Sequence, residues 1–75
     1  MWSQTYRKHV IMALPSFDTA TRQWRVQADI SWCLGKHRHS TFIRYTRHQP
    51  TEAEAVHSAV QRSIEWIDER LTFER

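Results

Sequence analysis

The last third of the chain has the apolar spacing of an α-helix. Between Thr51 and Leu71, apolar residues recur at intervals of three and four, which places them on one stripe of a helix. That stripe consists of Ala53, Val56, Val60, Ile64, Ile67 and Leu71. Pro50 precedes Thr51, and Glu54 completes a capping box, in which the Thr hydroxyl and the Glu carboxylate satisfy amide groups that lack partners at a helix start. We predict a helix over about residues 51–71.

Ahead of the helix, the period of the pattern changes to two. Apolar residues alternate with polar ones from Trp24 to Trp32, which is typical of a strand with one face on a core and one in water. The alternation resumes after the chain's only glycine, Gly35, and an earlier segment is apolar in its second half up to Pro15. The pattern predicts a polar loop after Pro15 and strands at about residues 6–14, 24–34 and 37–46.

The glycine indicates how the second and third predicted strands are joined. Gly35 and Lys36 suit a two-residue hairpin loop, because glycine readily adopts the positive φ that a type II′ turn needs at its first central position. In that register the apolar-face residues of the two strands meet throughout. A four-residue loop from Gly35 to Arg38 keeps the same parity and would set Asp29 against Arg44. The pattern does not separate these two registers.

Together these elements predict an α+β fold with the order β-β-β-α: a three-stranded antiparallel sheet with one C-terminal helix packed on one face. With 75 residues, the chain is long enough for one small domain over residues 1–75 and too short for two separate cores. Its core is small, since a domain of this size buries only about 60% of the surface of its unfolded chain. Self-association would supply additional buried area.

Cysteine content and hydropathy indicate the compartment. The single cysteine excludes an internal disulfide and favours a reducing environment. The longest apolar run, from Val10 to Leu14, is far shorter than the roughly 20 residues of a membrane-spanning helix, and the start of the chain shows no pattern of a secretory signal. We therefore expect a cytoplasmic protein without a membrane partner.

The formal net charge of +3 is unevenly distributed. Residues 1–48 contain eight Lys or Arg and two Asp, whereas residues 49–75 contain three Arg and six Asp or Glu. The predicted sheet is therefore basic and the predicted helix acidic. Such asymmetry favours an anionic partner for the basic half, or attraction between the two halves.

The segment from Cys33 to Ser40, CLGKHRHS, raises the question of a metal site. In either register Cys33 points to the polar face of the sheet whereas His37 and His39 point to the apolar face, so the three side chains cannot converge on one zinc ion at about 2.0–2.3 Å. We predict no metal and no cofactor. The sequence also shows no nucleophile-and-base relay, no paired carboxylates in the sheet and no glycine-rich phosphate loop, so we predict a non-enzymatic protein.

The polar face of the second and third strands carries the chemistry that points to a function. Arginine bridges phosphates or guanine edges, glutamine pairs with adenine, and an exposed phenylalanine stacks on a base. We therefore predict a small binding module that engages DNA or RNA through this face. The predicted nucleic-acid-binding residues are Arg25, Gln27, Lys36, Arg38, Phe42 and Arg44.

The first predicted strand supports an alternative. Its run from Val10 to Leu14 is apolar on both faces, which is typical of a strand covered on both sides, yet a first strand paired only with its sequence neighbour lies at a sheet edge. Pairing with a second copy would bury this strand and enlarge the small core. The alternative is a homodimer or protein–protein interaction module that uses Val10, Met12, Leu14, Phe42 and Trp66.

Overall fold

The computed structural model describes residues 2–73, which form five strands followed by one helix. The elements are β1 (Trp2–Tyr6), β2 (His9–Ala13), β3 (Ser16–Asp18), β4 (Gln23–Leu34), β5 (His37–Gln49) and α1 (Glu52–Phe73). β4 is central: β5 pairs with one of its edges, β2 and β3 pair in succession with the other, and β1 pairs with the outer edge of β2, all antiparallel. The predicted α+β fold with an antiparallel sheet and a C-terminal helix is confirmed, whereas the prediction of three strands is wrong, since the sheet has five.

The segment predicted as one strand at 6–14 instead contains the last residue of β1, a tight turn and all of β2, which pairs with β1 as a hairpin. Arg7 and Lys8 form its two-residue turn, with φ angles of 47° and 66°, and a type I′ turn requires this left-handed conformation at both positions. Glycine, asparagine or aspartate usually occupies such positions. None of them is present here, so the turn leaves no signal in the residue pattern.

Contacts with the helix hold this strained turn in place. The Tyr6 hydroxyl lies 2.9 and 3.1 Å from the two carboxylate oxygens of Asp68, to which it donates, and the Arg7 guanidinium donates to the same carboxylate at 2.9 Å. His9 Nδ1 donates to the Arg7 carbonyl oxygen at 2.8 Å. Left-handed residues cost about 1–2 kcal/mol each, and these hydrogen bonds to a charged carboxylate, which are stronger than neutral ones, offset part of that cost. Asp68 therefore joins the first hairpin to α1.

The loop predicted after Pro15 contains the short strand β3. Pro15 separates β3 from β2, and both strands follow the same edge of β4, where the Leu14 amide donates to the Gln27 carbonyl oxygen at 2.9 Å. The Asp18 carboxylate ends β3 by accepting a hydrogen bond from the Ala20 amide at 3.0 Å. A strand of three residues is too short to show a period of two in the sequence.

The hairpin of β4 and β5 adopts the two-residue register. Gly35 has a φ of 61° and forms the turn with Lys36. Asp29 consequently lies opposite Phe42, so the four-residue alternative is wrong. Beyond a bulge near the start of β4, β5 continues to Gln49, past its predicted end at 46.

α1 covers one face of the sheet. It begins after the predicted cap, where the Thr51 hydroxyl accepts a hydrogen bond from the Glu54 amide at 3.2 Å. The core lies between the helix and the sheet, and its largest fully buried apolar side chains are Ile11, Val26, Ile30 and Ile67. Within residues 2–73, no helix has an apolar stretch long enough to cross a lipid bilayer.

Small side chains bring α1 close to the sheet. Ala55, Ala59 and Ser63 follow one another at intervals of four and are each at most 2% exposed. The buried Ser63 hydroxyl is satisfied because it donates to the Ala59 carbonyl oxygen at 2.7 Å. Ile67 continues this line, whereas Ala53, a member of the predicted stripe, is exposed. The buried face of the helix is therefore centred on its smallest side chains.

Replacing Ala59 by leucine tests this close approach. A leucine at the buried position would push the helix away from the sheet, and overpacking of this kind destabilises a protein by about 1–3 kcal/mol. Urea unfolding followed by tryptophan fluorescence measures the loss. Ala53→Leu, on the exposed side of the same helix, is the matched control and should change the free energy of unfolding by less than about 0.5 kcal/mol. Equal effects of the two substitutions would contradict the packing.

The Asp68 contact predicts a loss of stability in acid. Hydrogen bonds from Arg7 and Tyr6 hold the pKa of Asp68 below its ordinary value of 3.8. A carboxyl group with a lowered pKa in the folded state contributes stability that is fully present above the ordinary pKa and is lost as the pH falls through the lowered value. Asp68→Asn should therefore lower the free energy of unfolding at pH 7 and reduce the difference between pH 7 and pH 2, as measured by urea unfolding.

The matched control for Asp68→Asn is Asp29→Asn. Within residues 2–73, the Asp29 carboxylate forms no ion pair, so its removal should leave the acid sensitivity of the protein close to that of the wild type. An Asp68→Asn variant that loses as much stability in acid as the wild type would refute a stabilising role of the Tyr6 and Arg7 contacts.

Candidate nucleic-acid interface

The sheet has one face under α1 and one open face. Side chains alternate along each strand, so the residues that flank the buried ones point away from the helix. The open face is lined by Val10 and Met12 of β2, by Arg25, Gln27, Asp29, Ser31 and Cys33 of β4, and by Arg38, Ser40, Phe42 and Arg44 of β5. Its central cross-strand row is Met12, Asp29 and Phe42.

The structure brings most of the predicted nucleic-acid-binding residues to this face. Those that line the open face are Arg25, Gln27, Arg38, Phe42 and Arg44. Lys36 lies instead in the turn between β4 and β5, at one end of the sheet. The predicted set therefore extends along the β4–β5 hairpin, from Arg25 near one end to Lys36 at the other, and its members differ in the other contacts they make.

A cationic pocket lies on the open face near that end. The turn between β1 and β2 is at the same end of the sheet, because Val10 of β2 pairs with Ser31 of β4. Lys8 of this turn thus comes close to Arg38 of β5. The two cations rim a shallow pocket of about 250 Å³ that is lined by Lys8, Val10, Ser31, Trp32, Cys33 and Arg38. Within residues 2–73 neither cation forms an ion pair, so both are available to an anion.

Lys8 is a site residue that the sequence pattern does not reveal. Its position depends on the tight turn with Arg7, and that turn contains no glycine or asparagine to mark it. Lys8 also lies about 30 residues from Arg38 in the chain, and only the pairing of β2 with β4 brings the two together.

Phe42 offers an aromatic surface at the centre of the open face. Its side chain is 49% exposed, and the Arg44 guanidinium lies 5.8 Å from the centroid of its ring. An exposed ring beside a cation can stack on a planar group and hold an attached anion. Phe42 and Arg38 are four residues apart on β5, which corresponds to about 13 Å along a strand.

Arg25 and Gln27 are engaged with β3 at the other end of the face. Arg25 lies 3.6 Å from a carboxylate oxygen of Asp18, and the Gln27 amide donates to the Ser16 hydroxyl at 3.4 Å. The Ala20 amide and the nearby Arg25 hold the pKa of Asp18 below its ordinary value, so Asp18 stays charged and retains Arg25. Arg38 and Arg44 are therefore better placed than Arg25 to meet a ligand.

The residues of the alternative interface fall on two sides of the sheet. Val10, Met12 and Phe42 share the open face, where Val10 is 40% exposed, whereas Leu14 follows β2 and lines a pocket with Ala13 and Val56 beside the start of α1. Trp66 is on α1 and packs against Trp32 at 5.5 Å between ring centroids, on the covered face. One contact surface cannot include both Trp66 and Phe42. The sequence pattern places Trp66 beside the apolar stripe of α1. Trp66 packs on Trp32 because the helix crosses the sheet near that residue.

A cluster of rings on the covered face fixes the C-terminal half of α1. Trp32 is at its centre, with ring centroids of His9 at 5.4 Å and His39 at 5.8 Å. The Arg70 guanidinium lies 4.3 Å from the Trp32 ring centroid and donates to His9 Nε2 at 3.1 Å. These contacts connect β2, β4, β5 and α1, so the cluster has a structural role.

The cysteine and histidines of the turn region stay apart. Cys33 is exposed on the open face, whereas His39 stacks on Trp32 on the covered face. Among residues 2–73, no group of three His, Cys, Asp or Glu side chains is arranged to hold a metal ion.

No protein-family model matches the chain, and neither the curated proteins nor the solved structures contain a match to it. The features of the chain that indicate a function are therefore the geometry and charge of its open face.

Proposed function

We propose that the open face binds single-stranded nucleic acid, DNA or RNA. The observation that carries this proposal is the position of Phe42, a half-exposed ring at the centre of the face, with Arg44 against it and the cationic pocket further along β5. Stacking of bases on aromatic side chains, together with cations that follow the backbone, is the usual means of binding single strands.

The arrangement favours a single strand over a duplex. A base can stack on Phe42 only if its own face is free, and the bases of a duplex are already stacked on each other. A strand that lies along β5 would place a base on Phe42 and a phosphate in the pocket rimmed by Lys8 and Arg38, about 13 Å away. One single strand would then contact both the Phe42 ring and the cationic pocket.

The distribution of charge agrees with an anionic ligand on this side. The open face and its adjoining turns carry Lys8, Lys36, Arg38 and Arg44, with Asp29 as the acidic exception. The solvent side of α1 carries Glu52, Glu54, Glu65 and Glu69. Such a field orients an approaching polyanion toward the sheet and away from the helix.

Arg38→Ala tests the contact with phosphate. The affinity for a fluorescein-labelled nine-nucleotide oligouridylate should fall, and the slope of log affinity against log salt concentration should become shallower by about 0.7, because each phosphate contact with a single strand contributes that amount. Fluorescence anisotropy at several salt concentrations measures both quantities. Arg62→Ala is the matched control, since Arg62 lies on α1 over the Tyr45 ring, and it should leave the slope unchanged.

The outcomes of this salt titration either support or contradict the proposed binding of single-stranded nucleic acid. A reduced slope for Arg38→Ala alone supports a phosphate contact in the cationic pocket. Equal slopes for the wild type and both variants, or no binding of oligonucleotide by the wild type at low salt, would overturn the proposal.

Phe42→Ala tests the stacking contact. Loss of one base–aromatic stack costs about 1–3 kcal/mol of binding free energy, so the dissociation constant should rise about 5- to 150-fold with little change in the salt slope. Phe73→Ala is the matched control, because Phe73 is 81% exposed at the end of α1, and it should bind like the wild type. An unchanged affinity of Phe42→Ala would show that the ring is not a stacking platform.

The second candidate function is self-association or protein binding through the same face. Val10 and Met12 of β2 and Phe42 of β5 are apolar side chains of the open face, on either side of Asp29, and no element covers them within residues 2–73. Apolar association would persist or strengthen as salt is added, in contrast to binding of phosphates. Sedimentation at high micromolar concentration decides this candidate: a dimer that is lost in Phe42→Ala supports it, and a monomer contradicts it.

A further inference from the structure

We infer that Asp29 makes the open face selective for guanine, by accepting hydrogen bonds from the guanine that stacks on Phe42. This inference rests on the proposed binding of single-stranded nucleic acid and adds a base preference to it. Asp29 is the acidic residue at the centre of a face whose other charged members are cations.

The position of Asp29 places it beside the stacking surface. It lies in the middle of β4 and is the direct cross-strand neighbour of Phe42 on one side and of Met12 on the other. Directly opposite residues in an antiparallel pair have Cβ atoms about 4.5–5.5 Å apart. A purine is wider than the phenyl ring beneath it, so its edge reaches over Asp29.

The Asp29 carboxylate has unused hydrogen-bonding capacity. Its side chain is half-buried, yet within residues 2–73 it accepts no side-chain or capping hydrogen bond and forms no ion pair. A carboxylate can accept about four hydrogen bonds, and a partly desolvated one gains from a donor that reaches it. On a surface that bound only phosphates, this charge would repel the ligand.

Guanine fits this pair of groups better than the other bases. Its Watson–Crick edge presents two adjacent donors, N1–H and the N2 amino group, which match the two oxygens of a carboxylate in the same way as other paired donors do. The adjoining edge presents the acceptors O6 and N7, which arginine binds. Arg44 is next to Phe42, so one stacked guanine would meet a donor and an acceptor of the protein on neighbouring edges.

The experiment uses four labelled nine-nucleotide RNAs that are oligouridylate except for guanine, adenine, cytosine or uracil at the central position. The wild type should bind the guanine RNA about 5- to 150-fold more tightly than the uracil RNA, which is the range for one good bidentate base contact. A fifth RNA with inosine, which lacks the N2 amino group, should bind with an affinity between those of the guanine and uracil RNAs.

Asp29→Asn distinguishes base reading from a structural role. The variant should lose affinity for the guanine RNA and keep or gain affinity for the uracil RNA, because it removes both the bidentate acceptor and a negative charge near phosphates. A merely structural role would lower the affinity for both RNAs together. Glu69→Gln is the matched control, since it also replaces a carboxylate by an amide but on the solvent side of α1, and it should keep the guanine preference.

The results distinguish failure of this inference from failure of the proposed function. If all four RNAs bind with equal affinity, or if Asp29→Asn retains the guanine preference, the proposed recognition of guanine by Asp29 is wrong. Neither result contradicts the proposed binding of single strands. If the wild type binds none of the RNAs at low salt, both are wrong. Circular dichroism of Asp29→Asn confirms that the variant is folded before its affinities are compared.

Discussion

The register of the hairpin formed by β4 and β5 determines most of this structure. The two-residue turn at Gly35 pairs Asp29 with Phe42 and fixes which face each side chain of the two longest strands takes. A shift of one residue would turn Ile30 outward and bring the charged side chain of Asp29 under the helix. The core and the open face are therefore two consequences of the same pairing.

One face of the sheet stays open within residues 2–73 because a single helix packs on the sheet. One helix covers one side, and it approaches closely because Ala55, Ala59 and Ser63 form the seam. No second layer is present within residues 2–73, so half-exposed rings such as Phe42 remain on the other side. Because the helix carries acidic residues on its solvent side and the open face carries cations, the protein presents opposite charges on its two sides.

The sequence predicts the parts of the fold that have a regular period or a marked boundary. The helix has both, through its apolar spacing and the Thr51 cap, and β4 and β5 alternate clearly on either side of Gly35. The turn at Arg7 and Lys8 cannot be predicted from the residue pattern because it depends on tertiary contacts with Asp68. These contacts override the backbone preference of the two turn residues.

The same distinction applies to the candidate site. Alternation along β4 and β5 is sufficient to place Phe42 and Arg44 on one face. Lys8 joins that face only through the unpredicted hairpin, and the engagement of Arg25 with Asp18 depends on the short strand β3. Side chains whose positions follow from one long hairpin are therefore predictable, and those that depend on its neighbours are not.

The most direct test of nucleic-acid binding by the open face is a two-dimensional ¹H–¹⁵N NMR titration of the protein with a single-stranded oligonucleotide at low salt. Binding through the open face should concentrate amide shift changes around Asp29, Phe42 and Arg38 and in the turn at Lys8, with small changes at Glu65 and Glu69 on the far side of α1. Changes centred on the outer side of α1, or no change at a saturating concentration of oligonucleotide, would contradict it.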